Sequence, residues 1–283
     1  MGTIAVTGAT GHLGGLIIDA ILARGVAASD VLAIVRDPAK AARLPEGVRV
    51  AEASYEDQAA LTAALTGVDT LLFVSGSEPG KRAAQHRNVV AAAQEAGVGF
   101  IAYTSLLDAD TSALSLAEEH VITEKLLADS GIDHAVLRNG WYWENYASAL
   151  SGAAASGEFH GAAGEGLVSG AARKDYAEAA AVVGTTPGHA GKVYELAGDP
   201  ALSYPQIAEG IAEVTGRLVV YVNQSEAAYA DQLASHGLPQ EVAQMLAGWD
   251  TAIAGGALFS TSTDLADLIG RPSTSLVETL RAL

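Results

Sequence analysis

The chain has 283 residues, of which 49% are hydrophobic, and its 33 acidic and 16 basic residues give a formal net charge of −17. That charge repels polyanions such as DNA and disfavours anionic membrane surfaces, so nucleic acid is not an expected partner. Cysteine is absent and the histidines are dispersed with no i, i+4 pair, which excludes disulfides, thiolate nucleophiles and Cys-ligated metals, leaves no metal expected, and means that redox chemistry needs a diffusible cofactor.

From the N-terminus, the alternation Ile4, Val6 reads as a buried strand, and the spacing Leu13, Leu16, Ile17, Ile21 as one face of a helix. Between them, "GATGHLGG" places Gly8, Gly11 and Gly14 at a strand-to-helix turn with G-x-x-G-x-x-G spacing. Gly8 allows the tight turn, Gly11 lets a pyrophosphate approach the backbone, and Gly14 lets the helix pack against the strand. The next strand, "DVLAIVRD", ends at Arg36. A dinucleotide-binding domain places Asp or Glu there for a ribose 2′-hydroxyl, and Arg for a 2′-phosphate. With Lys40 one turn on and Arg43 beyond, a basic cluster stands in an acidic chain, so NADPH is expected over NADH. The alternative for Arg36 is an ion pair with Asp37 or another surface acid.

Further along, "GVRVAEA", "TLLFVSG", "GFIAYTSLL" and "DHAVLRNGW" read as strands, and "RNVVAAAQEAG" and "LAEEHVITEKLLADSG" as helices ended by Gly97 and Gly131. Nearly continuous apolar strands alternating with helices predict an α/β fold with a doubly wound parallel sheet. From about Asn145 the rhythm breaks, and "ASALSGAAASGEFHGAAGEG" reads as a loop-and-helix excursion. The predicted organisation is a dinucleotide-binding domain over 1–150 and a smaller, mostly helical substrate-side domain over 151–283, from which about 174–198, with the strand "KVYELAG", returns to the first sheet. The longest apolar stretches are strand-length and no basic run precedes an apolar core at the N-terminus, so neither a membrane span nor a secretory signal is expected, and the protein is placed in the cytoplasm.

"AVTGATGHLGG", "AIVRDPAKAA", "AAQHRNVVAAAQEAGV", "FIAYTSLL", "LRNGWYWENY", "KVYELAG" and "LIGRPSTSLVE" together resemble the NmrA-like branch of the atypical short-chain dehydrogenases over essentially the whole chain. The resemblance implies that Thr10, Gly11, His12 and Leu13 lie along the dinucleotide, that Arg36 holds the 2′-phosphate, and that Ser75 and Gly76 close over the ribose. It also implies that Asn139, Gly140, Trp141, Tyr142 and Asn145 flank the nicotinamide and the substrate. One position departs from the pattern: where the family has Asp contacting adenine, this chain has Ser54, followed by Tyr55.

Ordinary short-chain dehydrogenases carry Tyr-x-x-x-Lys on the helix after the fifth strand. Here His120 and Glu124 stand at that spacing, and Lys125 is off by one residue, about 100° around the helix. His120 is the candidate proton donor with Glu124 orienting it; the alternative is a helix-face pair that supports the fold. Trp141, Tyr142, Trp143 and Tyr146 follow a strand's C-terminal edge and suit stacking on a flat ring, or else form core at a domain joint. Arg173 is a candidate to reach substrate or cofactor, whereas Asp175 is favoured as a cap for the next helix. The candidate catalytic residues are therefore His120, Tyr142 and Asn145, and the candidate substrate contacts are Trp141, Tyr142, Tyr146 and Arg173. The implied activity is hydride transfer from NADPH to a small quinone-like acceptor; the missing dyad keeps open a non-catalytic NADP(H)-sensing regulator. The oligomeric state stays open, a homo-oligomer included.

Overall fold

The computed structural model describes residues 2–283. Its frame is a seven-stranded parallel sheet built from β1 (Ile4–Val6), β2 (Val31–Val35), β3 (Arg49–Glu52), β4 (Thr70–Phe73), β5 (Phe100–Leu106), β6 (Asp133–Asn139) and, later in the chain, β9 (Val193–Leu196). The strand order is β3-β2-β1-β4-β5-β6-β9. Ile4 of β1 is in register with Val31 on one side and Thr70 on the other. The order therefore reverses between β1 and β4, and a crevice opens at the C-terminal ends of these strands, the usual ligand position in an open α/β sheet.

Apolar runs form these strands because both faces are covered. Helices α1 (His12–Ala23) and α6 (Arg173–Thr185) pack on one face, where Ile17, Ile18 and Ala180 meet Val6, Ala33 and Leu72. Helices α2 (Gln58–Leu65), α3 (Arg82–Ala96) and α4 (Ala117–Ser130) cover the other, where Leu61, Val89 and Leu127 meet Leu71, Phe73 and Ile101. Gly97 and Gly131 end α3 and α4 in the left-handed conformation, as the sequence predicts.

A second lobe holds α5 (Ala147–Ser156), β7 (Glu158–Gly161), β8 (Leu167–Val168), β10 (Leu202–Ser203), α7 (Tyr204–Thr215), β11 (Val220–Asn223), α8 (Glu226–Ser235), α9 (Gln240–Ala254) and α11 (Leu276–Arg281); α10 (Asp264–Ile269) packs back on α6. The lobe has its own core around Trp143, Phe159, Tyr204, Ile207 and Leu276. The excursion near residue 150 is more ordered than its composition suggests: "EFHG" is a strand, β7, in parallel register with β11. Its pairing partner lies some sixty residues on (Glu158 with Val220), so no local pattern announces it. Among the described residues no helix is long and apolar enough to cross a membrane.

Candidate active site

The glycine turn has the geometry its spacing demands. Gly8 adopts φ 58°, and its carbonyl accepts from the Gly11 N–H at 2.8 Å. A Cβ on Gly14 would stand 2.3 Å from that same carbonyl oxygen, so α1 packs directly on the turn. Helix α1 starts after Gly11 with no side-chain cap and no acidic residue in its first turn, which keeps its N-terminal amides and dipole available to an anion.

A cleft of about 390 Å³ opens over this turn, and Gly8, Thr10, Gly11, His12, Leu13, Gly14, Arg36, Lys40, Ser75 and Gly76 all line it. Side-chain-free backbone at one end and two cations at the other fit a dinucleotide carrying an extra phosphate. Arg36 is also ion-paired, with Glu78 at 2.9 Å rather than with Asp37; Asp37 instead accepts from the Ala39 N–H and caps a short 3-10 turn. Ser54 lines the cleft as well, but its Oγ accepts from the Glu56 N–H at 3.2 Å.

The wall opposite the glycines is the loop after β4, and its backbone is held group by group. The Val74 N–H donates to Thr7 Oγ1 (3.0 Å), and the Val74 carbonyl accepts from the Tyr55 hydroxyl (2.6 Å). The Ser75 N–H donates to Thr104 Oγ1 (2.9 Å). The Gly76 N–H donates to His86 Nε2 and the Gly76 carbonyl accepts from Arg82 Nε, both at 2.9 Å. Thr7, Tyr55, Arg82, His86 and Thr104 were not among the sequence candidates. Their side chains arrive from the residue after β1, from β5, from α3 and from the loop after β3, and the only local hint is Tyr55 beside the atypical Ser54.

The expected His120–Glu124 pair does not form. His120 is 5% exposed and shares a 2.8 Å hydrogen bond between its Nδ1 and the Tyr103 hydroxyl. Burial, helped by the Arg82 charge, pushes its pKa down to about 3, so the ring is neutral at pH 7. Glu124 accepts from Arg138 (2.8 Å) and from the Ser105 hydroxyl (2.5 Å). Tyr103 thus takes the place expected of Glu124, and an enclosed imidazole that is neutral at pH 7 is a poor general acid, which argues against the donor role expected of His120. The i, i+4 spacing on α4 was genuine, but each side chain finds a stronger partner on the sheet.

At the end of β6 the candidates divide. Asn139 and Gly140 are buried, the Asn139 Nδ2 donates to the Tyr142 hydroxyl (3.2 Å), and Asn139 Oδ1 has no hydrogen-bond partner among the described residues. The Arg173 guanidinium lies 4.8 Å from the Tyr142 ring centroid and donates to Asn145 Oδ1 at 3.1 Å. Asn139, Tyr142, Arg173 and Asn145 thus form one connected group. The aromatic run is not one wall, however: Trp143 is 2% exposed and packs with Tyr146 in the second lobe's core, while Trp141 stands edge-to-face with Trp249. A 3-10 turn over Trp143–Tyr146 sends neighbouring side chains in different directions. Asp175 is not the expected cap either. It is fully buried and accepts from the Thr274 N–H (2.7 Å) and from Arg271, whereas Glu144 accepts the Arg173 N–H (2.9 Å) at the start of α6.

Trp141, Asn145 and Tyr146 also border a second cavity of about 620 Å³ between α5, α8 and α9. Its walls are mainly apolar, with Phe159, Leu233 and Trp249 prominent, and Asp250 sits among them, accepting from the Tyr204 hydroxyl (2.7 Å) and the Ala162 N–H (2.8 Å). Burial raises the pKa of that carboxyl.

The model of the NmrA-like family matches residues 1–255. The chain belongs to that family. It is 53% identical to Quinone oxidoreductase 2 of Escherichia coli (strain K12), over 99% of this chain and 98% of that protein. The crystal structure of the NADPH-dependent quinone oxidoreductase from Escherichia coli complexed with NADPH superposes with a TM-score of 0.95 at 53% identity, covering 98% of both chains. The Citrobacter sp. triphenylmethane reductase complexed with NADP(H) gives 0.94 at 38% identity, covering 99% of both. This NmrA-like chain thus shares its doubly wound sheet and helical lobe with solved oxidoreductases across nearly its full length.

Proposed function

We propose that this chain is an NADPH-dependent oxidoreductase that transfers hydride to a quinone or a similar flat electrophile. The observation that carries this reading is the near-complete likeness, at 53% identity, to a quinone oxidoreductase solved with NADPH, joined to a cleft whose glycines, Arg36 and Lys40 suit that cofactor. NADPH bound there supplies the hydride. Gly8, Gly11 and Gly14 admit the pyrophosphate to the helix dipole, Arg36 and Lys40 take the 2′-phosphate, and the Ser75–Gly76 wall fixes the ribose side. Asn139, Tyr142, Asn145 and Arg173 line up at the β6 edge to orient the reacting rings. The apolar cavity beyond Trp141 takes the acceptor, stacked against indole and phenol faces.

Reduction of a quinone takes up one hydride and one proton, and no residue of the Tyr–Lys kind delivers that proton on α4. Solvent supplies it to a phenolate-like oxygen that is already stable as an anion. The acceptor is a small molecule and the protein works in the cytoplasm. NADPH oxidation followed at 340 nm, with and without a panel of quinones, tests the reading: acceptor-dependent oxidation supports it, and tight NADPH binding without any acceptor-dependent oxidation sinks it in favour of a cofactor sensor.

A further inference from the structure

The hydrogen bonds around Gly76 close on themselves. The Gly76 N–H donates to His86 Nε2 (2.9 Å), and His86 Nδ1 meets Thr123 Oγ1 (2.8 Å). The Thr123 hydroxyl donates to the Glu119 main-chain carbonyl (2.9 Å), the Glu119 carboxylate accepts from Arg82 Nη1 (3.1 Å), and Arg82 Nε returns to the Gly76 carbonyl (2.9 Å). Five residues on the cleft wall, α3 and α4 form one ring. His86 is fully buried and Arg82 is 5% exposed, so none of these bonds is readily exchanged for water.

The ring dictates a single form of His86. The one hydroxyl proton of Thr123 goes to Glu119, so Thr123 can only accept from the imidazole, and the proton must sit on Nδ1. Nε2 is then the acceptor that Gly76 requires. Phe73 and Tyr103 hold the ring plane with centroids at 4.7 and 5.6 Å. Burial and the Arg82 charge push the pKa of His86 down to about 3, so protonation, which would set N–H against N–H at Gly76, does not occur near neutral pH.

We infer that His86 is a positioning residue for cofactor binding: as a neutral Nδ1–H tautomer bridging Thr123 to the Gly76 amide, it sets the wall of the cleft opposite the glycine turn. The inference rests on the NADPH reading above. The helix that carries the acid dyad in ordinary short-chain dehydrogenases here anchors a cofactor wall, through Glu119 and Thr123. Gly76 belongs to that wall and lies against the side chains that hold it: a Cβ there would come within 3.1 Å of Gln85 Oε1 and 3.5 Å of His86 Nε2.

The test compares the parent with His86→Phe, His86→Gln and Thr123→Val. NADPH affinity is read by fluorescence titration, kcat at saturating NADPH with a fixed quinone, and folding by thermal melting. Phe keeps the aromatic packing but leaves the Gly76 N–H without an acceptor, a loss that corresponds to roughly fivefold or more in affinity. The expected result is a rise of about that size in NADPH Kd and KM for His86→Phe, with kcat within about twofold of the parent. His86→Gln, whose amide oxygen can accept from Gly76, recovers most of the affinity, and Thr123→Val weakens NADPH by at least about twofold. A role confined to stability would lower the melting temperature and leave Kd unmoved. A folded His86→Phe that binds NADPH as the parent does, or a loss that Gln fails to restore, overturns the inference; should Phe not fold, Thr123→Val decides on the same readout. A parent that binds no NADPH overturns the functional reading and this inference with it, whereas a parent that binds normally alongside unaffected variants overturns this inference alone.

Discussion

Arg36 Nη1 lies 2.9 Å from Glu78 Oε1, and the pair spans the mouth of the glycine cleft from the end of β2 to the loop after β4, the two strands that flank β1. A 2′-phosphate arriving at Arg36 therefore meets a guanidinium that already carries a carboxylate on Nη1. Arg36→Ala is expected to abolish most of the preference for NADPH over NADH, a change of roughly ten- to a hundredfold for one charge-assisted contact. Glu78→Gln is expected to tighten NADPH by roughly two- to fivefold and to leave NADH nearly unchanged, with the gain shrinking as salt rises. Titration of both cofactors at two ionic strengths checks this. Equal affinities for NADPH and NADH in the parent would remove the role given to Arg36.

Gly11 and Gly14 should fail in different ways. A Cβ at Gly11 meets the Gly8 carbonyl oxygen at 3.1 Å, whereas one at Gly14 comes within 2.3 Å of it. Gly11→Val is expected to leave the fold largely intact and abolish dinucleotide binding, because its methyls occupy the pyrophosphate site. Gly14→Val is expected to lower the melting temperature by several degrees, since turn and helix must part. Thermal melts beside NADPH titrations separate the two, and identical behaviour would contradict the assignment.

His86 and His120 make folding stability depend on pH in a definite direction. Both pKa values drop from 6.5 unfolded to about 3 folded. The unfolded chain therefore binds more protons below pH 6.5; the stability these groups contribute is fully present above that pH and is lost as pH falls toward 3. Urea unfolding at pH 7.5 and pH 5 should show the parent losing more stability than a His120→Gln variant does. Turnover of that variant should stay within about tenfold of the parent, with no change in the acid limb of its pH–rate profile. A shifted acid limb would restore His120 as a proton donor.

Without an acid on α4, the acceptor must tolerate its own negative charge. Hydride addition to a ketone leaves an alkoxide whose conjugate acid has a pKa of about 16, whereas a quinone leaves a phenolate of about 10. Six units correspond to roughly 8 kcal/mol in proton affinity, and even a third of that in the barrier changes the rate about a hundredfold. The kcat/KM for a small benzoquinone should therefore exceed that for an aliphatic ketone of similar size by at least that factor. Narrowing the second cavity with Ala149→Trp should lower kcat/KM for bulky quinones and leave the NADPH Kd unchanged. A ketone preference would mean that an efficient donor exists elsewhere in the cleft.

Much of this protein is written in short-range pattern. Two-residue and 3.6-residue periods place the strands and helices of the sheet domain, the glycine spacing marks the turn at the end of β1, and Arg36 is found by its position at the end of β2, because each of these depends only on neighbours along the chain. The absence of Tyr-x-x-x-Lys is equally plain in the sequence. Contacts between distant residues needed the tertiary structure. Arg36 chooses Glu78, 42 residues away, over the adjacent Asp37. Glu124 turns from His120, one helical turn off, to Arg138 on β6, because a buried carboxylate gains more from a guanidinium than from a neutral imidazole. His86 reads as an ordinary helix residue until folding brings Gly76 to one side of its ring and Thr123 to the other. Local spacing says which face of an element a side chain occupies; which group it meets there is decided by the packing of elements far apart in the chain, where desolvation makes each buried polar atom find a partner.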